Sequence, residues 1–392
     1  MTVRRVVGLE TEFGISVLGN PTANAMTSSS QVVNAYAAAH SRQRRPRWDF
    51  EEENPLRDAR GFDLARDVAD PTLLTDEEVG LANVVLTNGA RLYVDHAHPE
   101  YSTPEVTDPR AAVVWDKAGD LVITEAGELA SASYGVPLVL YKNNTDGKGA
   151  SYGTHENYLM NRTTPFDRIV AQLTPFFVSR PVITGAGRLG VGQETRTHAY
   201  QISQRADFFE VEVGLETTLK RPIINTRDEP HADADRYRRL HVIVGDANLS
   251  EVATYLKVGM TSLVLAMIED GWLDEPPVLA DPVEAMHQVS HDPTLQMAVP
   301  MADGSKMTAL DIQRYYCDQA HAYSERSYGS DVDAMTADVL SRWSDVLDRL
   351  ARDPMLLAGE LDWVAKLALL EGYRQRDGLD WSSPKLALID LQ

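Results

Sequence analysis

The sequence of 392 residues has little cysteine and little positive charge. Cys317 is the single cysteine, which excludes a disulfide framework and the paired cysteines of a zinc ribbon. Lysine and arginine number 37 against 58 aspartates and glutamates, and a surface with the resulting net charge of −21 repels nucleic acid. The composition therefore predicts a protein of a reducing compartment that does not bind nucleic acid.

Long apolar segments are missing too. The best apolar run, Leu263–Ile268, is too short to span a bilayer. Charges at Arg4, Arg5 and Glu10 leave no room for the apolar region of a signal peptide. We therefore expect a cytoplasmic protein that does not associate with membranes.

The densest polar stretch of the chain is Asn88–Glu105, NGARLYVDHAHPEYSTPE. Its first part alternates as a β-strand does, so Arg91, Tyr93 and Asp95 share one face while Leu92 and Val94 face a core. A guanidinium, a phenol and a carboxylate on one face are costly to bury and suited to a polar ligand. An edge strand with a solvated face is the alternative interpretation.

A second polar strand lies near the N-terminus. Glu10 and Glu12 are two residues apart and therefore on one face, where like charges repel. A divalent cation such as Mg²⁺ removes this penalty, since hard cations prefer carboxylate oxygens. The alternative is that both carboxylates are simply hydrated.

Further polar groups follow on other predicted strands. His155, Glu156 and Asn157 form a third cluster. The remaining groups are Glu100, Glu210, Glu212, His241, Arg205, Arg227 and Arg239. Carboxylates and imidazoles bind Mg²⁺ or Mn²⁺, and arginines bind phosphates through two hydrogen bonds. The set predicts a nucleotide triphosphate and metal site on an antiparallel sheet, although the sequence has neither a G-x-x-x-x-G-K-[ST] phosphate loop nor a kinase signature.

The order of elements predicts an α+β fold, with strands mainly before residue 250 and helices after it. Apolar residues at helical spacing predict helices over Pro109–Ala132 and Asp331–Leu350, and Ser250 is expected to cap a helix that runs to Asp270. Ser41–Asp70 is dense in charge and interrupted by prolines. It is either a disordered insert or a mobile flap near the site.

Four segments of the sequence form a recognisable set: GLETEFG at Gly8–Gly14, and the segments Asn88–Thr103, Thr154–Asn157 and Asn225–Ala247. Together they resemble the Pup ligase/Pup deamidase family, which is related to the carboxylate–amine ligases of the glutamine synthetase type. The resemblance implies a curved antiparallel sheet cradle, like that of glutamine synthetase, backed by helices. It covers nearly the whole chain as one catalytic domain, residues 1–392, with residues 41–70 as a charged flexible insert. Family members usually continue into a small C-terminal domain, which we expect to be absent here.

The resemblance also implies roles for individual residues. Asp95 resembles the catalytic aspartate, as nucleophile or as general base. The implied metal ligands are Glu10, Tyr93, Glu100, Glu156, His241 and Glu12. Arg91, Ser102, Thr103 and Asn157 resemble nucleotide contacts, and Arg205, Arg227 and Arg239 are predicted to join them through their charge.

The family has two branches. The segments Ser28–Tyr36 and Ser41–Asp70 resemble the deamidase branch, which hydrolyses the C-terminal Gln of Pup to Glu and cleaves the Pup–lysine isopeptide bond. That reaction implies ATP, or ADP plus phosphate, with Mg²⁺, and a nucleotide that is not consumed in each turnover. The implied partners are Pup, pupylated proteins and the proteasomal ATPase. Three alternatives stay open: an ATP-dependent Pup–protein ligase, a non-catalytic Pup-binding protein and a generic amino-acid ligase.

Overall fold

The computed structural model describes residues 3–40, 56–65, 82–145, 151–189, 200–217 and 220–379. Most of the predicted insert, residues 41–55 and 66–70, lies outside the described residues, so the expectation for it stays a prediction.

The strands of the described residues, in chain order, are β1 (Val7–Glu12), β2 (Gly14–Val17), β3 (Arg57–Asp58), β4 (Phe62–Asp63), β5 (Asn83–Val85), β6 (Arg91–Asp95), β7 (His98–Ser102), β8 (Leu138–Tyr141), β9 (Thr154–Asn161), β10 (Arg188–Leu189), β11 (Tyr200–Gln201), β12 (Phe209–Gly214), β13 (Arg221–Asn225), β14 (Tyr237–Val242), β15 (Ala298–Pro300) and β16 (Lys306–Thr308).

The helices of the described residues are α1 (Ala25–His40), α2 (Pro109–Tyr134), α3 (Phe166–Ser179), α4 (Pro181–Thr184), α5 (Glu251–Glu269), α6 (Pro282–Ser290), α7 (Ala309–Tyr328), α8 (Ala334–Arg352) and α9 (Asp362–Asp377). Local sequence signals set several of their ends. Asp108 and Ser250 accept hydrogen bonds from the first turns of α2 and α5, and Gly135 ends α2 in the left-handed conformation. The two helices predicted from apolar spacing, Pro109–Ala132 and Asp331–Leu350, are confirmed as α2 and α8, with ends that differ by at most three residues.

The main sheet has six strands in the order β14-β9-β1-β7-β6-β5, and every neighbouring pair is antiparallel. The remaining strands form small two-stranded sheets, which include the hairpin β3–β4 and the parallel pair β12–β13. Glu210 and Glu212 belong to β12 and are exposed, so they lie outside the main sheet. The prediction that they join the polar cluster is wrong.

One face of the main sheet is packed against helices. Leu9, Tyr158 and Leu240 join a large core with α3, α5 and α8, while Leu92 and Tyr101 join a second core with α1 and α2. Helices on one face of an antiparallel sheet define an α+β architecture, so the predicted fold class is confirmed. The opposite face of the sheet is left for polar side chains.

Helix α5 is long and apolar enough to cross a membrane. However, 78% of its most apolar segment is buried within the fold, as is common for a helix in the core of a globular protein. Ser250 caps α5, as predicted from the sequence, and Gly271 follows the helix in the left-handed conformation.

Candidate active site

Strand register brings the predicted polar residues together on the unpacked face of the sheet. Glu10 of β1 lies opposite Ser102 of β7 and His155 of β9, and Glu12 lies opposite Glu100. The remaining cross-strand pairs on this face are Tyr93 with Glu100, Arg91 with Ser102, Asp95 with His98, and Asn157 with His241. Because side chains alternate along a strand, directly opposed residues project from the same face. We call this surface the ligand face.

Two groups of potential metal ligands lie on the ligand face. The first consists of Glu10, His155 and His241, and the second of Glu12, Asp95 and Glu100. Within each group, the ligand atoms all lie within 4.8 Å of one another. Oxygen and imidazole ligands at this spacing suit a divalent cation such as Mg²⁺ or Mn²⁺.

Carboxylates are crowded in the second group. Glu100 is buried, and burial raises the pKa of its carboxyl well above the ordinary value, with the nearby charges of Asp95, Glu10 and Glu12 adding to the effect. His98 Nδ1 lies 3.7 Å from Glu12 Oε1 and has no hydrogen-bond partner among the described residues, although it is buried. Crowded carboxylates that repel one another fit a site that a cation neutralises.

The first group is held by hydrogen bonds. Asn157 donates from Nδ2 to Glu10 Oε1 at 2.9 Å, and its Oδ1 accepts from Arg239 at 2.7 Å. Burial and the charge of Arg239 hold the pKa of His241 well below its ordinary value. Its imidazole is therefore neutral at neutral pH, which is the form that binds a metal. Burial alone would raise the pKa of Glu10, but the hydrogen bond with His155 and the charge of Arg239 outweigh it, so this carboxyl is ionised.

Asp95 is the last residue of β6, directly before the turn to β7. The next residue, His96, has φ of 51°, a left-handed conformation that is costly for a residue with a side chain. His96 Nδ1 lies 2.9 Å from Asp95 Oδ1. Burial would raise the pKa of Asp95, but the contact with His96 and the charges of His155 and Arg227 lower it. Asp95 is thus a carboxylate at neutral pH within the second group.

Tyr93, Ser102 and Arg91 extend the ligand face toward the edge of the sheet. The Tyr93 hydroxyl donates to Glu100 at 2.6 Å and accepts from Ser102 at 3.2 Å. Burial, together with the charge of Glu100, raises the pKa of Tyr93 well above its ordinary value, so the phenol is neutral. Arg91 donates from Nε to Asn83 at 3.0 Å and stacks on the Tyr93 ring. The structure therefore places these three residues beside the two ligand groups.

Three predicted site residues have other surroundings. Glu156 lies opposite Leu9 and Val242 on the packed face, is fully buried and forms an ion pair with Arg180 at 2.7 Å, so the structure contradicts its prediction as a metal ligand. Arg205 is also buried and donates to the carbonyls of Ile243 and Gly245, so it is not available to a nucleotide. The Thr103 hydroxyl accepts from the backbone N–H of Leu9 at 3.0 Å.

Two histidines of the site are absent from the metal ligands that the family resemblance implied. His155 faces Glu10, with its Nδ1 3.4 Å from Glu10 Oε2, and His98 faces Glu12. The signal was present for His155, because it is two residues from Asn157 in a strand and must share its face. The prediction chose Glu156 instead, which is the next residue of the strand and therefore projects from the opposite face.

Other arginines differ in their availability. Arg227 and Arg239 are partly buried near the ligand face, where both contact Glu229. Arg221 and Arg238 are buried and donate to backbone carbonyls, whereas Arg236 is exposed. The buried arginines Arg205, Arg221 and Arg238 are therefore not available to an acidic partner, whereas Arg236 is accessible to one.

Residues 5–392 match the protein family described as Pup-ligase protein. The chain belongs to this family. A depupylase of Acidothermus cellulolyticus is 65% identical over 392 residues, all of this chain and 78% of that protein. A Pup deamidase/depupylase of Mycolicibacterium smegmatis is 58% identical, again over all of this chain and 78% of that protein. A Pup–protein ligase of Actinosynnema mirum is 47% identical over 79% of this chain and 69% of that protein.

Solved structures of the family share the fold. The Pup ligase PafA in complex with Pup has a TM-score of 0.79 and 32% identity, over 99% of this chain and 73% of that chain. The Pup ligase PafA in complex with ADP has a TM-score of 0.71 and 34% identity, over 89% of this chain and 77% of that chain. The resemblance found in the sequence is confirmed. Identity is also higher to the deamidase/depupylases than to the ligase.

Proposed function

We propose that the chain is a Pup deamidase and depupylase. It hydrolyses the side-chain amide of the C-terminal Gln of Pup to Glu, and by the same chemistry cleaves the isopeptide bond between Pup and a lysine. The observation that carries the proposal is the identity of 65% and 58% to a depupylase and a deamidase/depupylase over the whole chain. The ionised Asp95, which belongs to one of the two groups of potential metal ligands, supports it.

The reaction adds water to an amide carbonyl. A C–O bond forms, the C–N bond breaks, and ammonia or the lysine amine leaves with a proton from the water. Asp95 is suited to two roles, because it is ionised and lies at the end of a strand. It either takes the proton from the attacking water or attacks the carbonyl itself, so that water then opens the resulting anhydride. The His96 imidazole, whose Nδ1 lies 2.9 Å from Asp95 Oδ1, orients this carboxylate.

The donor set on the ligand face fits bound Mg²⁺. Glu10, His155 and His241 would hold one ion, and Glu12 and Glu100, beside the Tyr93 hydroxyl, would hold another. When bound, the ions and a nucleotide would polarise the amide carbonyl and neutralise the carboxylates. The chain's own residues orient this site: Asn157 fixes Glu10, and the Gly153 N–H donates to Glu12 at 2.9 Å.

We further propose ATP, or ADP with phosphate, as the nucleotide. Arg91, Arg227 and Arg239 would contact its phosphates, and Ser102 and Asn157 its other polar groups, because all five lie on or beside the ligand face. Support comes from the ADP complex of the related ligase. We propose the cytoplasm as the compartment, and Pup, pupylated proteins and the proteasomal ATPase as partners.

Mass spectrometry of Pup ending in Gln tests the proposal directly. Incubation with the protein, Mg²⁺ and ATP should give the mass increase of an amide-to-acid conversion at the C-terminus, and the Asp95→Ala variant should not. If instead Pup ending in Glu becomes joined to lysines of an added protein, the chain is a ligase. If neither product forms, the proposed activity is wrong.

A further inference from the structure

A buried ion pair lies directly behind the ligand face. Glu156 and Arg180 are 0% and 1% exposed, and two hydrogen bonds of 2.7 and 2.8 Å join the guanidinium to both carboxylate oxygens. We infer that Glu156 and Arg180 are positioning residues, which fix strand β9 so that His155 and Asn157 hold Glu10 on the opposite face. This inference rests on the metal site proposed above.

The geometry of β9 couples the two faces. Glu156 lies between His155 and Asn157, and both of these contact Glu10, at 3.4 and 2.9 Å. A slip of one residue in β9 would bring Glu156 to the ligand face and bury His155 and Asn157. The contacts that hold the Glu156 side chain in the core therefore also set the position and direction of the His155 and Asn157 side chains on the ligand face.

The pair connects β9 to the helices beneath it. Arg180 lies at the junction of α3 and α4, and its Nη1 also donates to Thr261 in α5 at 2.8 Å. Tyr158, which follows in β9, donates to Glu156 at 2.7 Å, and the Arg180 guanidinium stacks 4.7 Å above the Phe177 ring. The carboxylate is thus held through three elements, and a rotation of β9 would break several of these contacts at once.

Net stability is a poor explanation for this arrangement. A buried ion pair loses the hydration of both groups, and apolar residues of similar volume are often equally stabilising or more so. The segment that follows β14 also leaves room for the pair: a Cβ at Gly245 would lie 2.7 Å from Glu156 Oε1, closer than side chains pack. Fixing a register is the best-attested use of a buried polar group.

The test uses a double variant that removes both charges. Glu156→Gln with Arg180→Met keeps an acceptor for the Tyr158 hydroxyl and removes both charges of the pair together. The single variant Glu156→Gln leaves Arg180 unpaired, and it is measured alongside. The matched control is Asp116→Asn with Lys142→Met, because this pair is also buried, with side chains 5% and 6% exposed at 2.9 Å, but lies outside the ligand face.

Two measurements are made on each folded protein. The first is the affinity for Mn²⁺, read from the free-ion electron paramagnetic resonance signal, with Glu10→Gln as the variant that lacks a ligand. We expect Mn²⁺ to bind about 10- to 100-fold more weakly to the Glu156/Arg180 double variant. The control pair should bind Mn²⁺ as the wild type does. The second is the ¹⁵N NMR signals of the His155 and His241 rings without metal, which should shift in the double variant only.

The inference is overturned if the double variant binds Mn²⁺ with wild-type affinity and the ring signals do not move, whatever the loss in melting temperature. A merely structural pair would give that result. The ring signals need no metal, so they decide the inference even if the wild type binds no Mn²⁺, an outcome that would contradict the proposed metal site instead.

Discussion

The two faces of the central sheet carry similar residue types for opposite purposes. On the packed face, the carboxylate of Glu156 is matched by Arg180 and every oxygen accepts a hydrogen bond. On the ligand face, Glu12 and Glu100 lie directly opposite each other, and burial with repulsion raises the pKa of Glu100 well above its ordinary value. A matched charge indicates a structural role, and an unmatched group of charges indicates a ligand.

The comparison explains why residue type alone misleads in this protein. Adjacent residues of one strand, His155 and Glu156, belong to different faces and have different partners. Both are residue types that bind metals. Only the phase of the strand, together with the partner in the fold, separates the site residue from the core residue.

The largest expected effect concerns Asp95 on the ligand face. The variant Asp95→Asn keeps the shape of the side chain but removes the base or nucleophile, so amide hydrolysis of Pup ending in Gln should fall by about 10²- to 10⁴-fold. Mass spectrometry of the Pup product measures the rate. Mn²⁺ affinity should stay within a few-fold of wild type if Asp95 acts on the substrate. A parallel loss of Mn²⁺ binding would make Asp95 a ligand of the group with Glu12 and Glu100 instead.

The second prediction compares the loss of stability when one charged residue is replaced on each face of the sheet. Arg180→Met leaves Glu156 buried and unpaired, so the free energy of unfolding should fall by roughly 3–5 kcal/mol. Glu10→Gln keeps the contact with Asn157, and Arg239 keeps its ion pair with Glu229, so we expect a change below about 1 kcal/mol. Urea unfolding without metal measures both. Equal losses would show that the two faces do not differ in the way proposed.

Much of the site could be predicted from the sequence, because strands have a simple period. The alternation in Arg91–Asp95 places Arg91, Tyr93 and Asp95 on one face of β6, and the spacing of Glu10 and Glu12 places both on one face of β1, without any knowledge of the fold. The helices α2 and α8 were predictable for a similar reason, since their apolar spacing and capping residues are local signals.

The remainder depends on tertiary contacts. Burial of Arg205 against the carbonyls of Ile243 and Gly245 is set by segments far apart in the chain, so its charge alone suggested a ligand contact. Glu210 and Glu212 alternate as Glu10 and Glu12 do, yet β12 pairs with β13 in a different sheet. Local periodicity gives the face of a residue on its own strand but not the sheet to which the strand belongs.

The third prediction concerns the stability that bound Mg²⁺ adds by neutralising the charges of the ligand face. Mg²⁺ at 100 times its dissociation constant should raise the free energy of unfolding by about 2.7 kcal/mol, because it binds the folded state only. His155→Gln should lose most of this gain, since His155 completes the group with Glu10 and His241. His291→Gln is the control, because this histidine pairs with Asp207 elsewhere. Thermal unfolding with and without Mg²⁺ measures the gain, and a full gain in His155→Gln would remove that residue from the ligands.

The smallest effect concerns a buried cation behind the packed face. Lys257 is 1% exposed, and burial lowers the pKa of its ammonium to about 8 from an ordinary value of 10.5. Between these values the unfolded chain binds more protons than the folded chain, so stability rises with pH in this window. One proton over one pH unit corresponds to about 1.4 kcal/mol, and we expect a gain of about 1 kcal/mol in the first unit above 8.

Lys257→Met should lack this rise, so the difference between the two unfolding curves isolates Lys257 from the other groups that titrate at high pH. Urea unfolding at closely spaced pH values measures it. The titration of Glu100 on the ligand face changes stability in the opposite direction. Because its pKa is raised in the folded chain without metal, the folded chain binds more protons than the unfolded chain above the ordinary value of 4.5, and the free energy of unfolding falls as the pH rises. If Lys257→Met and wild type show parallel curves above pH 8, the ammonium is solvated and the packed face is more open than its contacts indicate.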